Sequence, residues 1–269
     1  MLHPERQLLP SHQTPQGTRT VAIALSKGSV LEVVVIEAAN PRGVIIACHG
    51  YHANHTQLYA IAQGLRDRQY TVVLFDFPGH GTRRGRCTFG GDETRDLEAI
   101  LRWLAQQPDR AQLPVGLVGF SFGGAVACQA AAQSPQIGAL VLDSTYARLF
   151  LIVARSIKRR YHLPEIPWAW VTWWTVQAVL GRRLIHVDPE VLASIIQQPA
   201  FLIHGTHDQS VPVEHTNTLY ARWRGPKQRW LEPGAGHVGT STIDPARYCN
   251  QLAQFFDRWL QPLPRSSPA

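Results

Sequence analysis

Apolar residues in this chain gather into short, nearly unbroken runs: GVIIACHG at 43–50, YTVVLFDFPGHG at 70–81, VGLVGFS at 115–121, ALVLDST at 139–145 and AFLIHG at 200–205. A strand wetted on one face alternates apolar and polar residues, so runs without alternation predict strands buried on both faces. Two earlier runs, TVAIAL at 20–25 and LEVVVIEA at 31–38, flank the turn residues SKGS and read as a hairpin, and QRWLEPG at 228–234 supplies a last strand. Between the strands the spacing becomes that of amphipathic helices, at 57–67, 93–105, 122–133, 214–223 and 245–260. Strands alternating with helices specify an α/β fold, a mostly parallel sheet with helices on both faces.

The rhythm breaks once. No strand pattern occurs across 147–198, which reads as an inserted helical segment between two parts of one core, 20–146 and 199–261. Residues 1–19, rich in Pro, Gln and His without periodicity, are expected to form a loosely held tail, and the Pro/Ser-rich 262–269 a disordered one.

Composition narrows the classes. With 269 residues and 45% hydrophobic content the chain can bury one large core. The net charge of +7 raises the question of nucleic acid, but charged residues make up only 17% and the arginines form no long basic tract, so no nucleic-acid role is expected. No apolar run is long enough to span a bilayer, and the N-terminus lacks the basic-then-apolar plan of a signal peptide, so a cytoplasmic location is expected. Cys48, Cys87, Cys128 and Cys249 are scattered without C-x-x-C pairs and read as reduced, structural thiols.

Candidate chemistry lies where the strand runs end. In Gly119-Phe120-Ser121-Phe122-Gly123 one hydroxyl sits between an apolar strand and a helix-favouring run, the strand-turn-helix setting of a G-x-S-x-G nucleophile elbow. Glycines 119, 123 and 124 would permit unusual backbone angles and close chain approach; the alternative is a glycine-rich turn with an incidental serine. A serine hydroxyl needs a base, and the base needs an orienting acid. Asp208 follows the strand AFLIHG and His237 lies in the glycine-rich loop after the last strand, so Ser121, Asp208 and His237 occur in the order this elbow requires. Asp143, ending ALVLDS, is the competing acid, while Asp76 is expected to brace the loop DFPGHG. An oxyanion would be held by the backbone N–H groups of Phe122 and of Tyr51, the latter after a bend that Gly50 would permit. His49, His52 and His55 recur every three residues as ligand runs can, but the glycine and turn residues among them would make that spacing irregular in space, so no metal and no cofactor are expected.

HGYHANH, DFPGHG, GFSFGG, HGTHDQSVP and GAGHVG together resemble, in order, the signature regions of the α/β-hydrolase family, in the branch of serine-aminopeptidase-like and monoacylglycerol-lipase-like esterases. The resemblance covers about residues 40 to 260 outside the insertion. It implies an eight-stranded sheet, a cap inserted after the sixth strand, and a triad of Ser121, Asp208 and His237. The expected activity is serine-dependent hydrolysis of a carboxylic ester with an apolar acyl or alcohol part. A peptidase or thioesterase using the same residues, and a hydrolase-fold binding protein without turnover, are the alternatives.

The insertion carries four of the eight tryptophans in IPWAWVTWWTVQAVL, with Lys158, Arg159 and Arg160 before and Arg182 and Arg183 after. One expectation is a hydrophobic lid in which Trp170, Trp173 and Trp174, with Phe120 below, contact substrate. The other is weak docking of the cap on an anionic membrane surface, lost on replacing Trp173 and Trp174. Arg83, Arg84 and Arg86 are either a solvated loop or a contact for an anionic substrate group.

Overall fold

A computed structural model describes residues 2–4, 15, 17–25, 28–181, 183–184 and 188–260. All eight predicted strands form: β1 Thr18–Ala24, β2 Val30–Ile36, β3 Gly43–Cys48, β4 Tyr70–Phe75, β5 Val115–Phe120, β6 Ile137–Asp143, β7 Ala200–Gly205 and β8 Lys227–Glu232. They make one sheet in the order β1-β2-β4-β3-β5-β6-β7-β8. β2 runs antiparallel to both β1 and β4, and the remaining pairs are parallel.

The unbroken runs are explained by the two cores they feed. Along β5, Val115 and Leu117 enter one apolar cluster while Val118 and Phe120 enter the other, and β3 divides likewise into Val44, Ile46 and Cys48 against Ile45 and Ala47. Successive strand side chains point to opposite faces, and here both faces are covered. Helices α1 (Tyr59–Arg66) and α9 (Pro245–Trp259) cover one face; α2 (Asp92–Ala105), α3 (Phe122–Gln133) and α7 (Glu214–Arg222) cover the other. A short helix, α8 (Thr240–Ile243), follows the His237 loop and carries too few apolar residues to be visible as a periodic pattern.

Between β6 and β7 the chain forms α4 (Leu149–Tyr161), α5 (Glu165–Leu180) and α6 (Pro189–Ala193). Both long helices bury a stripe: Leu149, Val153, Ala154 and Ile157 on α4, and Ala169, Trp173 and Val176 on α5. Phe150 joins them, its ring 5.5 Å from Trp173 in an edge-on contact. The two ends of the segment are stapled together: the Leu149 N–H donates to Asp188 Oδ1 (2.8 Å), Glu190 N–H donates to Ala147 O (3.0 Å), and Glu190 pairs with Arg148 and Arg222.

The structure departs from the expectation of a loosely held N-terminal tail. β1 begins at Thr18, inside the expected tail, and at 2–4 the chain is pinned: Cys87 N–H donates to Leu2 O (2.8 Å) and Pro4 is buried. The other residues of the N-terminal tail before 15, residue 16, and the C-terminal 262–269 lie outside the described residues. The four cysteines are all buried and unpaired, as their scatter implied.

Candidate active site

Ser121 sits between β5 and α3 with φ 52° and ψ −111°, a conformation L-residues rarely occupy. The unusual angles are therefore carried by the serine itself, while Gly119, Gly123 and Gly124 show no left-handed φ. Their role is close approach. A Cβ on Gly123 would be driven into the carbonyl oxygens of Cys48 and His49, and one on Gly119 into the backbone of Gly124. Gly123 thus lets the start of α3 rest on the end of β3, bringing the elbow against the loop that follows His49.

Asp208 and His237 meet after β7 and β8. His237 Nδ1 lies 2.7 Å from Asp208 Oδ2, and Asp208 Oδ1 accepts the N–H groups of Ser210 (2.8 Å) and Val211 (2.9 Å). Burial works to raise the Asp208 pKa, but the hydrogen bonds from His204 and His237 outweigh it and hold the carboxyl well below its usual range. An ionised Asp208 makes Nδ1 the protonated nitrogen of His237, leaving a lone pair on Nε2. That is the tautomer a general base needs.

Asp143 is not the partner of this histidine. It is fully buried, and its carboxylate accepts the hydroxyls of Ser144 (3.0 Å) and Tyr248 (2.9 Å). Its position nevertheless ties the site together. Ser121 N–H donates to Asp143 O (2.8 Å), and Ser144 Oγ accepts the N–H of Val238 (3.0 Å), the residue after His237. The elbow and the histidine loop thus hang from the same end of β6. Among the described residues no hydrogen bond joins Ser121 Oγ to His237.

The loop after β3 is fixed by side chains. His49 is fully buried; its Nδ1–H donates to Gly50 O (2.7 Å) and its Nε2 accepts the Phe77 N–H (3.0 Å). Gln57 Oε1 accepts Gly50 N–H (3.0 Å). Gly50 has no left-handed φ; that conformation falls on His52 (φ 64°), which corrects the expected source of the bend. The Tyr51 and Phe122 rings meet edge-on, 6.0 Å apart, so the two expected oxyanion donors belong to neighbouring segments. Phe122 opens α3, where the first N–H groups lack helical acceptors.

Other expected contacts are placed elsewhere. Phe120 is buried in the apolar cluster on the α1/α9 face, where an inward side chain of β5 must go, and Trp173 is buried against Phe150. Trp170 and Trp174 are exposed on the outside of α5. Arg83 is committed to Asp96 and to Asp76 O (3.0 Å), so it does not reach for an anion, whereas Arg84 and Arg86 are exposed. Asp76 does brace a loop, though the one carrying His55, whose backbone N–H (2.7 Å) and Nδ1 (2.9 Å) it accepts. A cleft of about 370 Å³ lies where α4 and α5 meet α7, lined by residues including Arg148, Arg155, Glu190 and His215; none of Ser121, Asp208 and His237 lines it.

The family described as serine aminopeptidase, S33, matches residues 39–198, more than half of the chain. This chain belongs to that family of α/β-hydrolases. An esterase from Pyrococcus furiosus is similar over 97% of this chain and 98% of its own, with a TM-score of 0.79 and 26% identity. The uncharacterized protein YqkD of Bacillus subtilis is 26% identical over 216 residues, 79% of this chain and 70% of that protein. An uncharacterized protein of Mycobacterium tuberculosis is 29% identical over 213 residues, 78% of this chain and 68% of that protein.

Three residues buttress this candidate α/β-hydrolase site through contacts that no motif in the chain marks. His204, fully buried, lies 2.8 Å from Val211 O through Nε2 and 2.7 Å from Thr216 Oγ1 through Nδ1, and so fixes the loop whose N–H groups hold Asp208. Its place at the end of β7 was visible; its partners, seven and twelve residues on, were not. Ser144 and Tyr248 act on the hydrolase site through Asp143, and no spacing in the chain relates residue 248 to residue 143.

Proposed function

We propose that this α/β-hydrolase is a serine esterase acting on carboxylic esters with an apolar acyl or alcohol part. The observation that carries it is the 2.7 Å pair of His237 Nδ1 and Asp208 Oδ2, behind a serine in a strained elbow. In this mechanism His237 Nε2 takes the Ser121 hydroxyl proton as Oγ attacks the ester carbonyl carbon. The N–H groups of Tyr51 and Phe122 receive the oxyanion. Collapse expels the alcohol, which takes the proton from the imidazolium and leaves an acyl-Ser121 ester. A water then gives its proton to His237, attacks the acyl carbon and releases the acid, and the proton returns to Ser121. Asp208 holds the ring and stabilises its cation throughout.

The esterase of Pyrococcus furiosus supports ester over amide chemistry, being similar across almost the whole of both chains. A fluorophosphonate probe tests the proposal. Labelling is expected at Ser121 and is expected to disappear in S121A and H237A, together with a loss of at least ~10³-fold in ester hydrolysis. Folded wild-type protein that takes no label, or label on another serine, would overturn it.

A further inference from the structure

We propose that the outer face of α5 docks this protein onto an anionic phospholipid surface. A helix at the edge of a water-soluble fold ordinarily shows one apolar stripe and one polar face. α5 has a stripe, Ala169, Trp173 and Val176, but its other face is apolar too. There Ile166 is 67% exposed, Trp168 46%, Val171 54% and Trp174 64%. Scattered single apolar residues on a surface need no explanation, whereas a contiguous face bearing large aromatics does.

The rim of this face indicates what covers it. Lys158, Arg159 and Arg160, at the end of α4, and Arg183, after α5, are all exposed. Across 149–184 the sequence holds six basic residues and a single acid, Glu165, which pairs with Lys158 (3.5 Å). Arg159 donates one N–H to Gln209 O (2.9 Å), which anchors the basic end of the hairpin to the core and gives the patch a fixed orientation. Indoles bounded by cations match the bilayer interface, where the ring settles at headgroup depth and the cations meet lipid phosphates. With 16 residues, α5 is too short to cross the hydrocarbon layer and would lie along it. A second copy of the chain fits less well, because its own basic rim would be brought against this one.

The structure also selects the residues for the test. Trp173 is buried and belongs to the core, so replacing it would report on folding; Trp168 and Trp174 face outward. The full chain would be sedimented with sucrose-loaded vesicles, either of phosphatidylcholine alone or of equal parts phosphatidylcholine and phosphatidylglycerol. Binding to the anionic vesicles only, weakened by added salt, is expected. Losses of about tenfold in affinity are expected for W168S/W174S and for K158Q/R160Q. Thermal melts establish that each variant is folded; should the tryptophan pair fail to fold, the charge pair decides. S121A should bind vesicles like wild type, so failure of the esterase mechanism and failure of docking are separately visible. Wild-type protein that pellets with neither vesicle, or folded variants that bind unchanged, would overturn the proposal. So would a dimer in sedimentation equilibrium that W168S/W174S dissociates, since the face would then belong to a second copy.

Discussion

Holding Ser121 at φ 52° and ψ −111° costs about 1–3 kcal/mol, and such strain persists only where surrounding contacts determine it. Here they do: the Ser121 N–H is taken by Asp143 O, and two glycines let α3 close on β3 and β5. At this scale two carboxylates compete for the role of orienting acid, and substitution separates them. D208N should cut kcat by about 10⁴-fold, because an amide in place of the carboxylate favours the wrong tautomer of His237. D143N, whose side chain faces Ser144 and Tyr248, should cost roughly tenfold or less. Steady-state kinetics with one soluble ester, on variants with matched melting temperatures, measures both; equal losses would contradict the assignment to Asp208. The candidate residue types and their order are legible in the chain. The chain order already points to Asp208 as the acid; what it does not show is where Asp143 goes, because the packing of β6 under the His237 loop turns that carboxylate to Ser144 and Tyr248.

At the scale of elements, the loop before α2 shows how a helix start is secured without an N-cap side chain. Glu93, fully buried in the first turn of α2, accepts the N–H of Thr88 (2.8 Å), the N–H of Gly90 (2.8 Å) and the Thr88 hydroxyl (2.5 Å). E93A would leave buried donors without an acceptor, and a loss of about 3 kcal/mol is expected in urea unfolding. E93Q keeps one acceptor oxygen and should fall between the two. Helical periodicity located α2 to within a residue of its observed start, since Leu97, Ile100, Leu101 and Leu104 mark one face. The same cue reads α5 poorly. A helix apolar on both faces has no pattern to distinguish core from surface, and Trp170 and Trp174, expected to contact substrate, lie outside.

The whole molecule carries opposed sets of buried titrating groups. Burial pushes the carboxyls of Asp96, Asp143 and Asp188 up to about 6 each. Between about pH 4 and 6 the native chain therefore holds protons that the unfolded chain has released, which makes stability fall as pH rises. Burial also pushes His49 down to about 3, and His80 and His215 down to about 4. Over the same interval unfolding lets these imidazoles take up protons, which makes stability rise with pH. Three groups stand against three, so the urea midpoint should change little from about pH 4.5 to 6. Asp208 and Asp76 are held below the usual range, where hydrogen bonds from histidine outweigh burial. Their contribution is present above the unfolded value near 3.9 and is lost as pH falls through the native values, so the midpoint should drop steeply below about pH 4. A midpoint that climbs continuously from pH 4.5 to 6 would show the histidines to be the dominant set.

What this sequence determined by itself is local: seven apolar runs made strands because their period and β-branched content allow little else, and the elbow made a turn because glycines permit an approach that other residues block. Family membership followed from motifs that are likewise local. Tertiary structure alone decided the strand order, the partners of Asp143, the buttressing by His204, Ser144 and Tyr248, and which tryptophans meet water. The physical reason is common to all of these: a hydrogen bond between residues 143 and 248, or a side chain's exposure on an apolar helix, depends on which elements the folded chain brings alongside, and neighbours in sequence carry no record of that.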